Sequence, residues 1–170
     1  MSVHSLPPSS GLDNVTVLNH DGVTTDNTGT VKVTPDQCGI VFLGNDRATP
    51  QAANKGFNVL LPTPQPGLRY KFILRNDISA NATAAITVKS TSNGTTPADL
   101  MVGTVVQDVD TEHTDDQVVV LGTTSTLNGI VTFVHNLAKS GDHVDIVCDG
   151  TNWYVNGVTT KEGGITFATV

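Results

Sequence analysis

The densest set of chemically competent side chains is the run Asp108-Val109-Asp110-Thr111-Glu112-His113-Thr114-Asp115-Asp116, five carboxylates and an imidazole in nine residues. Clustered oxygens are what hard cations such as Ca²⁺ and Mg²⁺ require. Asp108, Asp110 and Glu112 alternate, so on a strand they share one face and form the candidate metal-ligand set. The spacing departs from an EF-hand loop: the sixth place holds His113 instead of Gly, and the twelfth holds Val119 instead of Glu. The competing reading is a solvated acidic loop between two strands, the ordinary meaning of a charge run. On that reading the chain holds no metal and needs no cofactor.

The other reactive residues form no set. His4, His20, His113, His135 and His143 occur at neither HxH nor HExxH spacing. There is no G-x-S-x-G, no P-loop and no G-x-G-x-x-G. Catalysis needs an acid, base or nucleophile positioned in a pocket, and no spacing here identifies one, so the sequence does not read as an enzyme. Cys38 and Cys148 lie in no CxxC and offer no zinc ligand set. They read as one possible bridge or, more in keeping with the absence of a secretory leader, as two small buried apolar residues. Three N-x-T sequons, at Asn14, Asn81 and Asn93, are what a chain rich in Asn and Thr produces by chance.

A second informative stretch covers residues 141–157, GDHVDIVCDGTNWYVNG. It reads as a hairpin. Val144, Ile146 and Cys148 share the core side of one strand. Asp149, Gly150, Thr151 and Asn152 supply turn chemistry, with Gly150 free to take positive φ. On the return strand Trp153 and Val155 share a face and Tyr154 points the other way. Asn156-Gly157 reads as a second turn. Trp153, the only Trp, serves as a core or interface anchor; with Tyr154 it also offers aromatic faces on which a sugar can stack.

The elements behind these residues follow from composition. The 170 residues include 25 Thr and 23 Val, which fit a pleated strand, with 16 Gly, 13 Asn and 8 Pro for turns. Good helix formers are scarce. With 9 Lys+Arg against 16 Asp+Glu and a formal charge of −7, clustered phosphate contacts are not expected, which argues against a nucleic-acid binder. No apolar run is long enough for a membrane helix. The first ten residues lack a basic n-region and an apolar h-region, so a cytoplasmic protein, or one built into a particle there, is expected.

Residues 1–14 are polar, carry Pro7-Pro8-Ser9-Ser10-Gly11, and read as an extended arm. From residue 15 to 170, short apolar or alternating runs are divided by turn residues. They predict strands over 15–18, 30–34, 39–43, 57–61, 68–74, 85–89, 101–106, 117–121, 129–135, 143–148, 152–155 and 164–169. A dozen strands about ten residues apart is the pattern of an all-β sandwich or barrel. No fixed repeat indicates a solenoid or propeller.

The hairpin pattern G-D-x-(apolar)-x-(apolar)-x-C-D-G-T-N-W-Y-V resembles one found in virion proteins of tailed bacteriophages, notably those of marine and cyanobacterial hosts. Upstream, Phe57-Asn58-Val59-Leu60-Leu61-Pro62, then Pro66-Gly67-Leu68-Arg69-Tyr70-Lys71-Phe72, is similar to the same proteins. The first 56 residues carry no part of the likeness. The resemblance implies a jelly-roll-like β-sandwich that decorates a capsid or belongs to a tail or fibre, has no catalytic residues and is commonly a homotrimer. Size and a polar arm suit the decoration (cement) type. Its partner would be the major capsid protein on the outer surface of the head, in a virion assembled in the host cytoplasm. The expected capsid-contact arm includes Val3, His4, Leu6, Pro7, Pro8 and Leu12; Phe57, Trp153 and Tyr154 are the expected core or subunit-interface residues. The alternatives are a small tail, neck or spike component, and a carbohydrate-binding module for host adsorption.

Overall fold

The computed structural model describes residues 14–19, 29–44, 56–78, 84–108, 116–121 and 127–170. Twelve strands form there: β1 Asn14–Asn19, β2 Thr30–Lys32, β3 Gly39–Gly44, β4 Asn58–Leu60, β5 Arg69–Leu74, β6 Ile86–Lys89, β7 Met101–Asp108, β8 Asp116–Leu121, β9 Ile130–Phe133, β10 His143–Cys148, β11 Trp153–Thr159 and β12 Ile165–Ala168. Each falls on one of the twelve runs expected from the sequence. They build a seven-stranded sheet, β1-β3-β5-β10-β11-β7-β8, and a five-stranded sheet, β12-β9-β6-β4-β2. The fold is a β-sandwich with one core between the sheets, as the composition predicts.

Alternation along each strand selects which residues enter that core. In β5, Tyr70, Phe72 and Leu74 are buried and Arg69 is exposed; in β11 the pattern alternates over all seven residues. Trp153, Tyr70, Phe57, Phe72 and Phe133 are the largest buried side chains. Tyr70 stacks on Phe72 at 5.9 Å and lies tilted against Trp153 at 6.1 Å. Aromatic pairs in such offset or tilted geometry add to plain area burial.

The strand order differs from that of a jelly roll, which is built from antiparallel Greek keys. Five of the ten ladders are parallel: β1 with β3, β3 with β5, β7 with β11, β2 with β4 and β4 with β6. From β1 to β6 the chain passes from one sheet to the other at every step, so β1, β3 and β5 lie side by side in one sheet and β2, β4 and β6 in the other. Parallel neighbours need a crossover connection. Here a strand of the opposite sheet supplies it, where many proteins use a helix. The second half closes the sandwich with antiparallel pairs, β5 with β10, β10 with β11, β7 with β8, β6 with β9 and β9 with β12.

One turn expected from the sequence is absent. Asn156 and Gly157 lie inside β11, paired with Asp145 and Val144 of β10 and with Thr104 and Val105 of β7. A Cβ at position 157 would approach the His143 carbonyl at 2.7 Å and Val105 at 3.0 Å. The glycine therefore serves close strand packing, and the ladder to β7 carries the chain straight through it.

Candidate functional site

The hairpin of β10 and β11 lies at the middle of the seven-stranded sheet, and its sequence explains its shape. At its tip the Asp149 carboxylate accepts hydrogen bonds from the backbone N–H groups of Thr151 at 2.7 Å and Asn152 at 2.8 Å. Tyr154 Oη donates to its second oxygen at 3.0 Å. Gly150 takes φ 106°, as a turn of this kind requires. The N–H of Asn152, then that of Thr151, hold the Asp149 carboxyl below the usual carboxylate range, with Tyr154 adding to the effect. The same bond and the Asp149 charge push the Tyr154 phenol up.

At the other end of β10, Asp142 is a buried carboxylate, 1% exposed. It accepts from the backbone N–H of Lys139 and Thr160 and from the hydroxyls of Thr159 and Thr160, all at 2.9–3.0 Å. Buried charge is tolerated when it is satisfied in this way. Its role is to tie the loop entering β10 to the end of β11. Nearby, Asp77 accepts from the Ser140 N–H and from Lys139 Nζ, and these bonds, in that order, lower its pKa.

On the core side, Tyr70 Oη donates to the Thr34 carbonyl at 2.8 Å. Burial, followed by the neighbouring Cys38 and then Asp36 and Cys148, pushes its phenol well above the ordinary tyrosine range. Both cysteines are free thiols, Cys148 buried and Cys38 half-buried. Trp153 Nε1 is buried and has no hydrogen-bond partner among the described residues.

Phe57 and Trp153 are core residues, 2% and 0% exposed, and Tyr154 is 50% exposed. Alternation had already divided Trp153 from Tyr154. Burial removes Trp153 from any sugar-stacking role and leaves Tyr154 as the accessible aromatic of the pair. Asp108 closes β7, while Asp110 and Glu112 lie outside the described residues, as do Val3, His4, Leu6, Pro7, Pro8 and Leu12 of the arm. Among the described residues, no group of three or more His, Cys, Asp or Glu is arranged to hold a metal ion, and no helix is long and apolar enough to cross a membrane.

Sequence reasoning missed the outer face of the seven-stranded sheet. Register aligns Val17, Phe42, Ile73, His143, Val158 and Val106 in one row across six adjacent strands. Beside it, Asp145 pairs with Arg69 at 3.2 Å and Lys71 at 3.5 Å. The outer face of the five-stranded sheet is the opposite in character: register there aligns Thr30, Asn58, Thr87, Thr132 and Thr166. No signal in a single strand distinguishes the two faces, because each exposed Val or Thr equally suits a strand.

In comparisons with known proteins, no family model, no curated protein and no solved structure matches this chain.

Proposed function

We propose that this chain is a bacteriophage capsid decoration protein, a non-enzymatic β-sandwich that binds the outer surface of the assembled head and bridges capsomers. The observation that carries the reading is what the phage-like motif does in the fold. Asp142 ties the entry to β10, Cys148 and Trp153 fill the core, and Asp149 caps the turn through two backbone N–H groups and Tyr154. Every one of these motif residues serves the architecture. A motif of that kind marks a structural element, and the hairpin it resembles belongs to virion proteins.

In this reading attachment comes from many modest contacts. The major capsid protein is the partner, copies of the chain act together as a homotrimer, and the arm with Val3, His4, Leu6, Pro7, Pro8 and Leu12 reaches the shell. Linking several weak contacts raises the effective concentration of each and gives tight overall attachment. An extended arm binds well by adding backbone hydrogen bonds to a sheet edge.

The test is co-sedimentation of the full chain with expanded phage shells, followed by electron microscopy. Many copies distributed over the head are expected. Copies at a single vertex instead indicate a tail, neck or spike component, and no sedimentation with shells overturns the virion reading. Deleting residues 2–13 is expected to lower occupancy at least tenfold; unchanged occupancy overturns the role of the arm.

A further inference from the structure

We infer that the outer face of the seven-stranded sheet is a self-association surface, buried against other copies of this chain. Seven large apolar side chains are exposed among the described residues, and six of them lie on this face: Val15, Val17, Val106, Val147, Tyr154 and Val158, between 36% and 63% exposed. The seventh is the last residue, Val170. Scattered exposed apolar residues are normal, but a contiguous patch marks an interaction site. A sheet with one face on the core and one in water normally alternates apolar and polar. The five-stranded sheet obeys that rule with its row of Thr and Asn, whereas the seven-stranded sheet does not.

Size and charge both point to a second copy as the occupant. Seven strands about 4.8 Å apart span roughly 29 Å, and six residues of strand about 20 Å, so the face projects to roughly 580 Å². That projection is of the same order as the ~800 Å² of accessible surface that each partner contributes to a stable interface. The chain as a whole carries a formal charge of −7, so copies repel over most of their surface. On this face the charges are Arg69 and Lys71 against Asp145 and Asp108, with Asp116 the register partner of Asp108 at the β8 edge, so the face is far closer to neutral than the chain as a whole. The Arg69–Asp145–Lys71 cluster carries both signs at one place, so a second copy can set its Asp145 against Arg69 or Lys71. Sheet faces of this kind stack about 10 Å apart with interdigitating side chains. The cross-strand row from Val17 to Val106, interrupted by His143, supplies an apolar stripe that such packing buries.

This inference shares self-association with the proposed function but rests on the exposed face alone and not on binding to shells. Its test is the molar mass of the full chain by light scattering, from about 1 to 100 µM. A mass of two or more times 17.8 kDa is expected for the wild type. Val158→Asp and, separately, Val147→Lys place a charge on the face at exposed positions and are expected to reduce the mass to that of one chain. Thr132→Asp, on the polar outer face, is expected to leave the mass unchanged. A wild-type mass of one chain overturns the inference, as does an assembly that survives both face variants with unaltered circular dichroism. If one variant fails to fold, the other and the wild-type mass still decide. Assembly through this face without binding to shells upholds it and discards the decoration role.

Discussion

The turn at the tip of the β10–β11 hairpin is held by one carboxylate, and that makes it sensitive to acid. Asp149 is held below its ordinary pKa by the N–H groups of Asn152 and Thr151. A carboxyl lowered in the folded state stabilises above its unfolded value, about 3.9, and the gain is lost as pH falls through the folded value. Asp149→Asn keeps an acceptor for the turn and removes the charge. The wild type is expected to have the higher urea midpoint at pH 7, with the gap closing by pH 2; an equal gap at both pH values contradicts the assignment. In the core, Tyr70 and Trp153 differ in whether their polar atom has a partner. Tyr70→Phe loses the bond to the Thr34 carbonyl and is expected to cost about 1 kcal/mol. Trp153→Phe removes a buried N–H that has no partner among the described residues. It is expected to cost no more than about 2 kcal/mol, against about 3–5 for Trp153→Ala, because relieving the orphan donor offsets part of the lost packing. Chemical denaturation at constant m value measures all three.

Among the strands, the parallel ladder between β7 and β11 depends on a glycine. A Cβ at Gly103 would lie 1.8 Å from the Val155 carbonyl oxygen. Backbone cannot yield as a flexible side chain can, so Gly103→Ala must shift one strand against the other. It is expected to cost roughly 2 kcal/mol or more, and to weaken amide protection in β7 and β11 before other strands; a stability change under about 0.5 kcal/mol counts against the close approach. Strand positions were legible because Thr and Val runs are divided by Asn, Asp, Gly and Pro turns. The Asn156-Gly157 reading failed for a reason internal to that rule. Asn-Gly is a strong turn pair in isolation, but here two neighbouring strands pair across it and the absent Cβ makes room for them. The candidate site was legible only in part. Alternation divided Trp153 from Tyr154, yet the row from Val17 to Val106 joins residues as distant in sequence as 17 and 158, and register alone places them together.

For the molecule as a whole, the winding of β1 to β6 between sheets and the closure by β7 to β12 share one hydrophobic core. The two halves are joined within both sheets, since β5 pairs with β10 and β6 pairs with β9. One cooperative transition is therefore expected. Trp153 is fully buried at the middle of the fold, so its fluorescence reports the core. Its unfolding curve and that of far-ultraviolet circular dichroism are expected to coincide, and separated midpoints would show that the two halves unfold independently. Strand pairs this distant in sequence also make folding slow, in milliseconds to seconds. Stopped-flow fluorescence measures that rate.

The sequence by itself determined the all-β class, the places of twelve strands, the turn at Asp149 to Asn152 and the core side of each strand in the hairpin. These follow from local physics: χ1 stiffness, turn propensity and period-two alternation act within a few residues. The tertiary structure alone decided the parallel winding, the strand character of Asn156 and Gly157, and the contrast between an apolar outer face and a polar one. Those depend on which strands become neighbours and in what register, a choice made by burial of the common core and encoded in no single segment.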